Sequence, residues 1–177
     1  MLRYITFTLT FALLLCSCTQ QKENTLVIPI IFDTDAGNDI DDVLAMQMLF
    51  NYEKAGKIDL LGITICKSNP YAIEYIDGYC RFNDRNEIPL GYAYNGVNPE
   101  DGNYLRQTLD TIIDGNRILQ PQRSIKDNLP EGYKLLRKIL ATQKDNSVVF
   151  IAVGPETNLA RLPHPGLTIR DGLLYAN

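Results

Sequence analysis

Leu26-Val27-Ile28-Pro29-Ile30-Ile31-Phe32-Asp33-Thr34-Asp35-Ala36-Gly37-Asn38-Asp39-Ile40-Asp41-Asp42 changes character abruptly at Asp33. Residues 26–32 form a continuous apolar run, the pattern of a strand buried on both faces. The next ten residues carry five carboxylates, and residues 43–52 then read as a helix. Like charges held this close raise one another's pKa and resist joint ionisation. Helix capping and the N-terminal dipole use one or two acids, which leaves the others unexplained. A bound divalent cation accounts for the whole set. Oxygen-only donors suit a hard ion, calcium or magnesium, rather than zinc. Asp33, Asp35, Asp41 and Asp42 are therefore expected to converge beyond the C-terminal end of the first strand.

Working outward, strand and helix patterns alternate. A helix is expected over residues 39–54, with Gly56 just past its end as a stop signal. Residues 60–66, 88–92 and 148–153 read as strands, and residues 71–82, 130–143 and 156–162 as helices. Between 93 and 128 the pattern loosens, with one helix expected over 104–113. This alternation predicts an α/β protein with a doubly wound, mainly parallel sheet. Ligands of such sheets bind beyond the C-terminal strand ends, where the acid cluster falls.

The 177 residues, 45% hydrophobic and 21% charged, fit one globular domain. With a formal net charge of −4 and no basic stripe, a nucleic-acid partner is not expected. Arg3 and the apolar residues 5–15 precede Leu15-Cys16-Ser17-Cys18. That run is shorter than the ~20 residues a spanning helix needs. It resembles a bacterial lipoprotein signal. The resemblance implies removal of residues 1–17, a lipidated Cys18, and a chain anchored in the cell envelope through the tether 18–25. An uncleaved amphiphilic anchor is the competing reading. Cys66 and Cys80 are expected as buried free thiols, since a strand end and the far part of the following helix lie ~15 Å apart, too far for a bridge.

Asp33-Thr34-Asp35-Ala36-Gly37-Asn38-Asp39-Ile40-Asp41-Asp42 resembles the D-x-D-P-G-x-D-D signature of the inosine–uridine-preferring nucleoside hydrolases. Ala36 stands in place of Pro, and two extra residues precede the final Asp pair. Ile151-Ala152-Val153-Gly154-Pro155-Glu156-Thr157-Asn158-Leu159-Ala160 is similar to the family's strand followed by G-P-x-T-N-[IL]-A. Leu61-Gly62-Ile63-Thr64, followed by Asn69, resembles its second strand and sugar-binding Asn. The resemblance spans residues 26–162, leaving 163–177 divergent. It implies calcium-dependent hydrolysis of a ribonucleoside to base and ribose. Position by position, it implies that Asp35 is a calcium ligand and the general base toward water. Asp42 would be a ligand through both oxygens, and Val153 a ligand through its main-chain carbonyl. Asp33 would lie near the metal shell, and Asp41 and Asn69 on the ribose. Asp39, inside the insertion, receives no role.

Members of that family are longer, so the resemblance also implies a truncated chain. A further calcium-binding Asp and a His near the leaving base have no counterpart among these residues. His164, the one histidine, sits between prolines in an expected loop and matches no motif. Weak calcium binding and little turnover are the expectation. Two other classes stay open. One is a haloacid-dehalogenase-like phosphatase with Asp33 as nucleophile, which gives the Asp41-Asp42 pair no use. The other is a non-catalytic, lipid-anchored calcium- or sugar-binding fragment. A homo-oligomer is left open.

Overall fold

A computed structural model describes residues 26–162, 167–170 and 173–176. The expected leader 1–17, the whole tether 18–25 and His164 lie outside these residues. Strand β1 (Ile28–Thr34) is followed by α1 (Asp41–Lys54), β2 (Ile58–Lys67), α2 (Pro70–Phe82) and β3 (Leu90–Val97). Then come α3 (Leu105–Asp110), the short strands β4 (Ile112–Ile113) and β5 (Asn116–Arg117), and α4 (Gly132–Leu140). The chain continues with β6 (Val149–Ala152), α5 (Thr157–Ala160), β7 (Leu167–Arg170) and β8 (Leu173–Ala176).

The central sheet has the order β3-β2-β1-β6, and every pairing in it is parallel. The α/β class and the parallel sheet thus agree with the sequence pattern. The chain steps from β1 to β2 to β3 in one direction, then returns to place β6 on the other side of β1. That reversal is a topological switch point, where a crevice opens at the C-terminal strand ends. Asp33 stands there, in register with Thr64 of β2 on one side and Ala152 of β6 on the other.

Side chains of β1 alternate between two apolar layers. Ile30 and Phe32 pack with α1 and α2 through Met46, Leu49, Phe50, Ile73 and Ile76. Ile31 packs with Phe150, Leu136 of α4 and Leu162. Each such fully buried side chain contributes roughly 1.5–3 kcal/mol. Close approach of α4 to the sheet requires a glycine at position 91, where a Cβ would lie 2.9 Å from Gly132 Cα. Both body cysteines are buried and free, as their positions predict. No described helix is long and apolar enough to cross a membrane.

Several boundaries differ from the sequence pattern. Helix α1 starts at Asp41 rather than Asp39, because residues 38–40 bend to present the acid loop. Strand β3 runs on to Val97, resuming beside Lys67 after a register shift. Helix α4 starts at Gly132 because residues 130–131 lie extended against Tyr92, whose N–H donates to Pro130 O at 3.0 Å. Helix α3 stops at Asp110, ahead of the β4–β5 hairpin, whose turn residues Asp114 and Gly115 take positive φ.

Candidate active site

Thr34, Asp35 and Gly37 carry the chain off β1 into the acid loop. Asp33 is wholly buried. Its Oδ1 accepts from Thr64 Oγ1 at 2.5 Å and from Asn158 Nδ2 at 2.8 Å, so β1, β2 and α5 meet on one oxygen. Its Oδ2 has no nitrogen or oxygen donor among the described residues. Burial pushes its carboxyl up to about 6, helped by the Asp35 charge, against the pull of hydrogen bonds from Thr64, Asn158 and the Cys66 thiol. A carboxylate so enclosed is not presented as a nucleophile, which removes the support for the phosphatase reading.

Asp42, in the first turn of α1, is also buried. Thr34 Oγ1 donates to its Oδ1 at 2.6 Å. Burial raises its carboxyl to about 6, and the charges of Asp35 and Asp41 push it the same way. Asp39 and Asp41 are exposed, and together with Asp42 they bring carboxylate oxygens within 4.8 Å of one another. Asp39, given no role by the sequence, therefore joins the acid centre. Its signal was an acid inside the insertion that bends ahead of the helix.

Asp35 is half-buried, and its Oδ2 accepts from Asn98 Nδ2 at 3.0 Å. Its carboxylate lies against Gly154. A Cβ on that glycine would collide with Asp35 Oδ1 and lie 2.7 Å from its Cγ and 2.9 Å from Cys66 Sγ. Val153 N–H donates to Asp33 O at 3.0 Å, which seats the Val153–Gly154 corner beside the end of β1. The two sequence motifs, more than a hundred residues apart, are thus brought to one crevice. Burial pushes the Cys66 thiol beside them up, and the charges of Asp33 and Asp35 push it further.

Asn69 is buried and caps α2, its Oδ1 accepting from Tyr71 N at 2.9 Å. Its Nδ2 donates to Pro99 O at 2.9 Å and to Asp101 Oδ1 at 3.0 Å. The fold uses this side chain to hold the loop of residues 98–103. That loop, read from sequence only as irregular, lies over the acid loop. Asn103 N donates to Gly37 O at 2.6 Å, and Lys67 Nζ pairs with Glu100 at 3.1 Å.

The donors fit a hard divalent cation. They are the carboxylate oxygens of Asp39, Asp41 and Asp42, and Asp33 Oδ2, at the end of β1, is a buried acceptor without a nitrogen or oxygen donor among the described residues.

A doubly wound α/β sheet with an acid centre at its switch point defines the class. The family model of the inosine-uridine preferring nucleoside hydrolases matches residues 30–164, and the chain belongs to that family. The fold is similar to a plant nucleoside hydrolase, PpNRh1, at 22% identity and a TM-score of 0.53, over 77% of this chain and 42% of that one. It is also similar to the type III effector protein XopQ, complexed with adenosine diphosphate ribose, at 14% identity and a TM-score of 0.54. That match covers 77% of this chain and 38% of the effector. The chain thus spans less than half the length of either structure. No curated protein matches it.

Proposed function

We propose that this polypeptide supplies the acid half of a calcium-dependent hydrolase that splits the N-glycosidic bond of a ribonucleoside. The observation that carries the reading is the meeting of Asp33 and Asp35 with the Val153–Gly154 corner, with Asp42 close enough to feel the Asp35 charge and grouped with Asp39 and Asp41. Asp35, Asp42 and the Val153 carbonyl would hold the ion, with Asp33 behind them and Asp39 and Asp41 at the rim. When bound, the cation orients water and sugar hydroxyls and offsets the carboxylates' mutual repulsion.

The residues divide the remaining work. Asp35, half-buried and held on one oxygen by Asn98, has a second oxygen available to take a proton from water. Removing that proton as the anomeric carbon gains oxocarbenium character is the general-base role. Asp41, exposed in the first turn of α1, would accept hydrogen bonds from ribose hydroxyls. Asn69 can join it by exchanging Asp101 for a sugar oxygen. Cys18 carries the lipid that holds the protein at a bacterial envelope, and incorporation of labelled fatty acid, lost in Cys18→Ser, checks that arm.

Calorimetric titration of Met1–Asn177 with calcium, then with ribose, tests the site. Calcium takes about six to eight oxygens, so binding should be weak and should weaken again in Asp42→Ala. Ribose should bind only with calcium present, and release of hypoxanthine from inosine should be slow and lost in Asp35→Ala. Tight calcium binding indifferent to Asp42, or base release indifferent to Asp35, would overturn the assignment.

A further inference from the structure

Lys67 ends β2 two positions before Asn69, and the hydrolytic reading gives it no task. Its side chain is 0% exposed, although lysine is almost never fully buried unless it is paired. The aliphatic stem crosses the acid loop so closely that a Cβ on Gly37 would lie 3.1 Å from Lys67 Cε. Its ammonium donates to Asn38 Oδ1 at 3.1 Å and to Glu100 Oε1 at 3.1 Å. Asn38 Nδ2 donates to the same Glu100 oxygen at 3.2 Å. Lys67 and Asn38 therefore form a two-donor cradle for an anion, with a carboxylate already seated in it.

The seated carboxylate is exchangeable. The Glu100 side chain is 52% exposed and belongs to the loop that spans the crevice. The same loop places Asn98 on Asp35 and Asp101 on Asn69, two groups that the hydrolytic reading assigns to ion and ribose. A ligand entering the crevice must lift this loop. Lifting it removes Glu100 and leaves a buried ammonium without its counter-charge, and an uncompensated buried charge is strongly unfavourable. A substrate that brings its own anion repairs this loss, and a neutral nucleoside does not.

We propose that the Lys67–Asn38 cradle receives a phosphate carried on the ribose, in exchange for Glu100. The substrate class is then a phosphorylated ribosyl compound rather than a bare nucleoside. This deepens the proposed ribohydrolase function and rests on it.

The test is calorimetric titration of the full chain, with calcium present, using ribose and ribose 5-phosphate as probes and inorganic phosphate as control. Ribose 5-phosphate should bind at least about tenfold more tightly than ribose, as a charge-assisted contact to a buried cation implies. In Lys67→Met the ratio of the two affinities should collapse toward one. In Glu100→Gln, an exposed-loop change that leaves the buried lysine in place, it should widen. Asn38→Ala, also at the surface, should narrow it if Lys67→Met does not fold. Equal affinities in the wild type, or a preference that survives both cradle variants, overturns the proposal while the ribohydrolase reading stands. Binding of neither sugar, with calcium bound, overturns that reading and the inference with it. Inorganic phosphate binding as tightly as ribose 5-phosphate would also overturn it, since the sugar would then play no part.

Discussion

Asp42 should destabilise the protein it serves. Its carboxyl is buried beside Asp35 and Asp41 and titrates at about 6 in the fold, against an ordinary value of 3.8. One pKa unit corresponds to ~1.4 kcal/mol, so holding the charge at neutral pH costs on the order of 3 kcal/mol. The sign follows from proton linkage. Between pH ~4 and ~6 the folded state keeps a proton that the unfolded chain releases, so this group's contribution to stability falls as pH rises through that window. Asp42→Asn removes the charge and keeps an oxygen for Thr34 Oγ1, and its amide can donate to the neighbouring carboxylates. In the presence of EDTA the variant should be more stable than wild type at pH 7.5 by ~1–3 kcal/mol. That corresponds to several degrees in Tm, at ~2–4 °C per kcal/mol for a chain of this size. At pH 4.5 most of the gain should vanish. Urea unfolding of both proteins at both pH values measures it. A variant no more stable than wild type at pH 7.5, or equally stabilised at both pH values, would refute the reasoning.

Gly154→Ala should lower calcium affinity at least about tenfold while costing about 1–3 kcal/mol of stability from overpacking, because its Cβ would drive into the Asp35 carboxylate. Unchanged affinity would dissociate that corner from the metal. Asp77, buried under Arg81, Arg123 and the Gln122 and Arg123 amides, should cost about 3–5 kcal/mol when replaced by Ala. Although burial works against its charge, those donors hold its carboxyl below 3.8, so the stability it adds is present at neutral pH and is lost in stronger acid. The gap between Asp77→Ala and wild type should therefore narrow in acid unfolding titrations. Burial pushes the Cys80 thiol up to about 12 and the Cys66 thiol up as well. With Cys16 and Cys18 replaced by Ser, Ellman's reagent should react with neither until urea unfolds the chain.

The elements read correctly from sequence are those whose residues carry the signal locally. The apolar run of β1, the helical pattern of residues 71–82 and the Gly154-Pro155 corner each state their conformation within a few residues. The acid loop was legible for a related reason, since five carboxylates have few physical justifications. The loop of residues 98–103 was not, because its conformation is set at long range. Asn98 answers Asp35, Glu100 answers Lys67 and Asn103 answers Gly37, all from the other side of β2 and α2. The role of Lys67 was hidden in the same way. In a strand sequence it reads as an edge residue, and only the tertiary fold encloses it.

Strand β1 is the first part of the sheet to leave the ribosome and among the last to be completed. Its β2 edge is satisfied early, but its other edge waits for β6, whose first residue follows more than a hundred positions later. At ribosomal elongation rates the wait is on the order of ten seconds. During it, an apolar strand with a free row of amides and carbonyls stands open to any passing strand. Until β6 arrives, the fold therefore carries that edge unpaired, and the pairing that covers it is the last the central sheet gains.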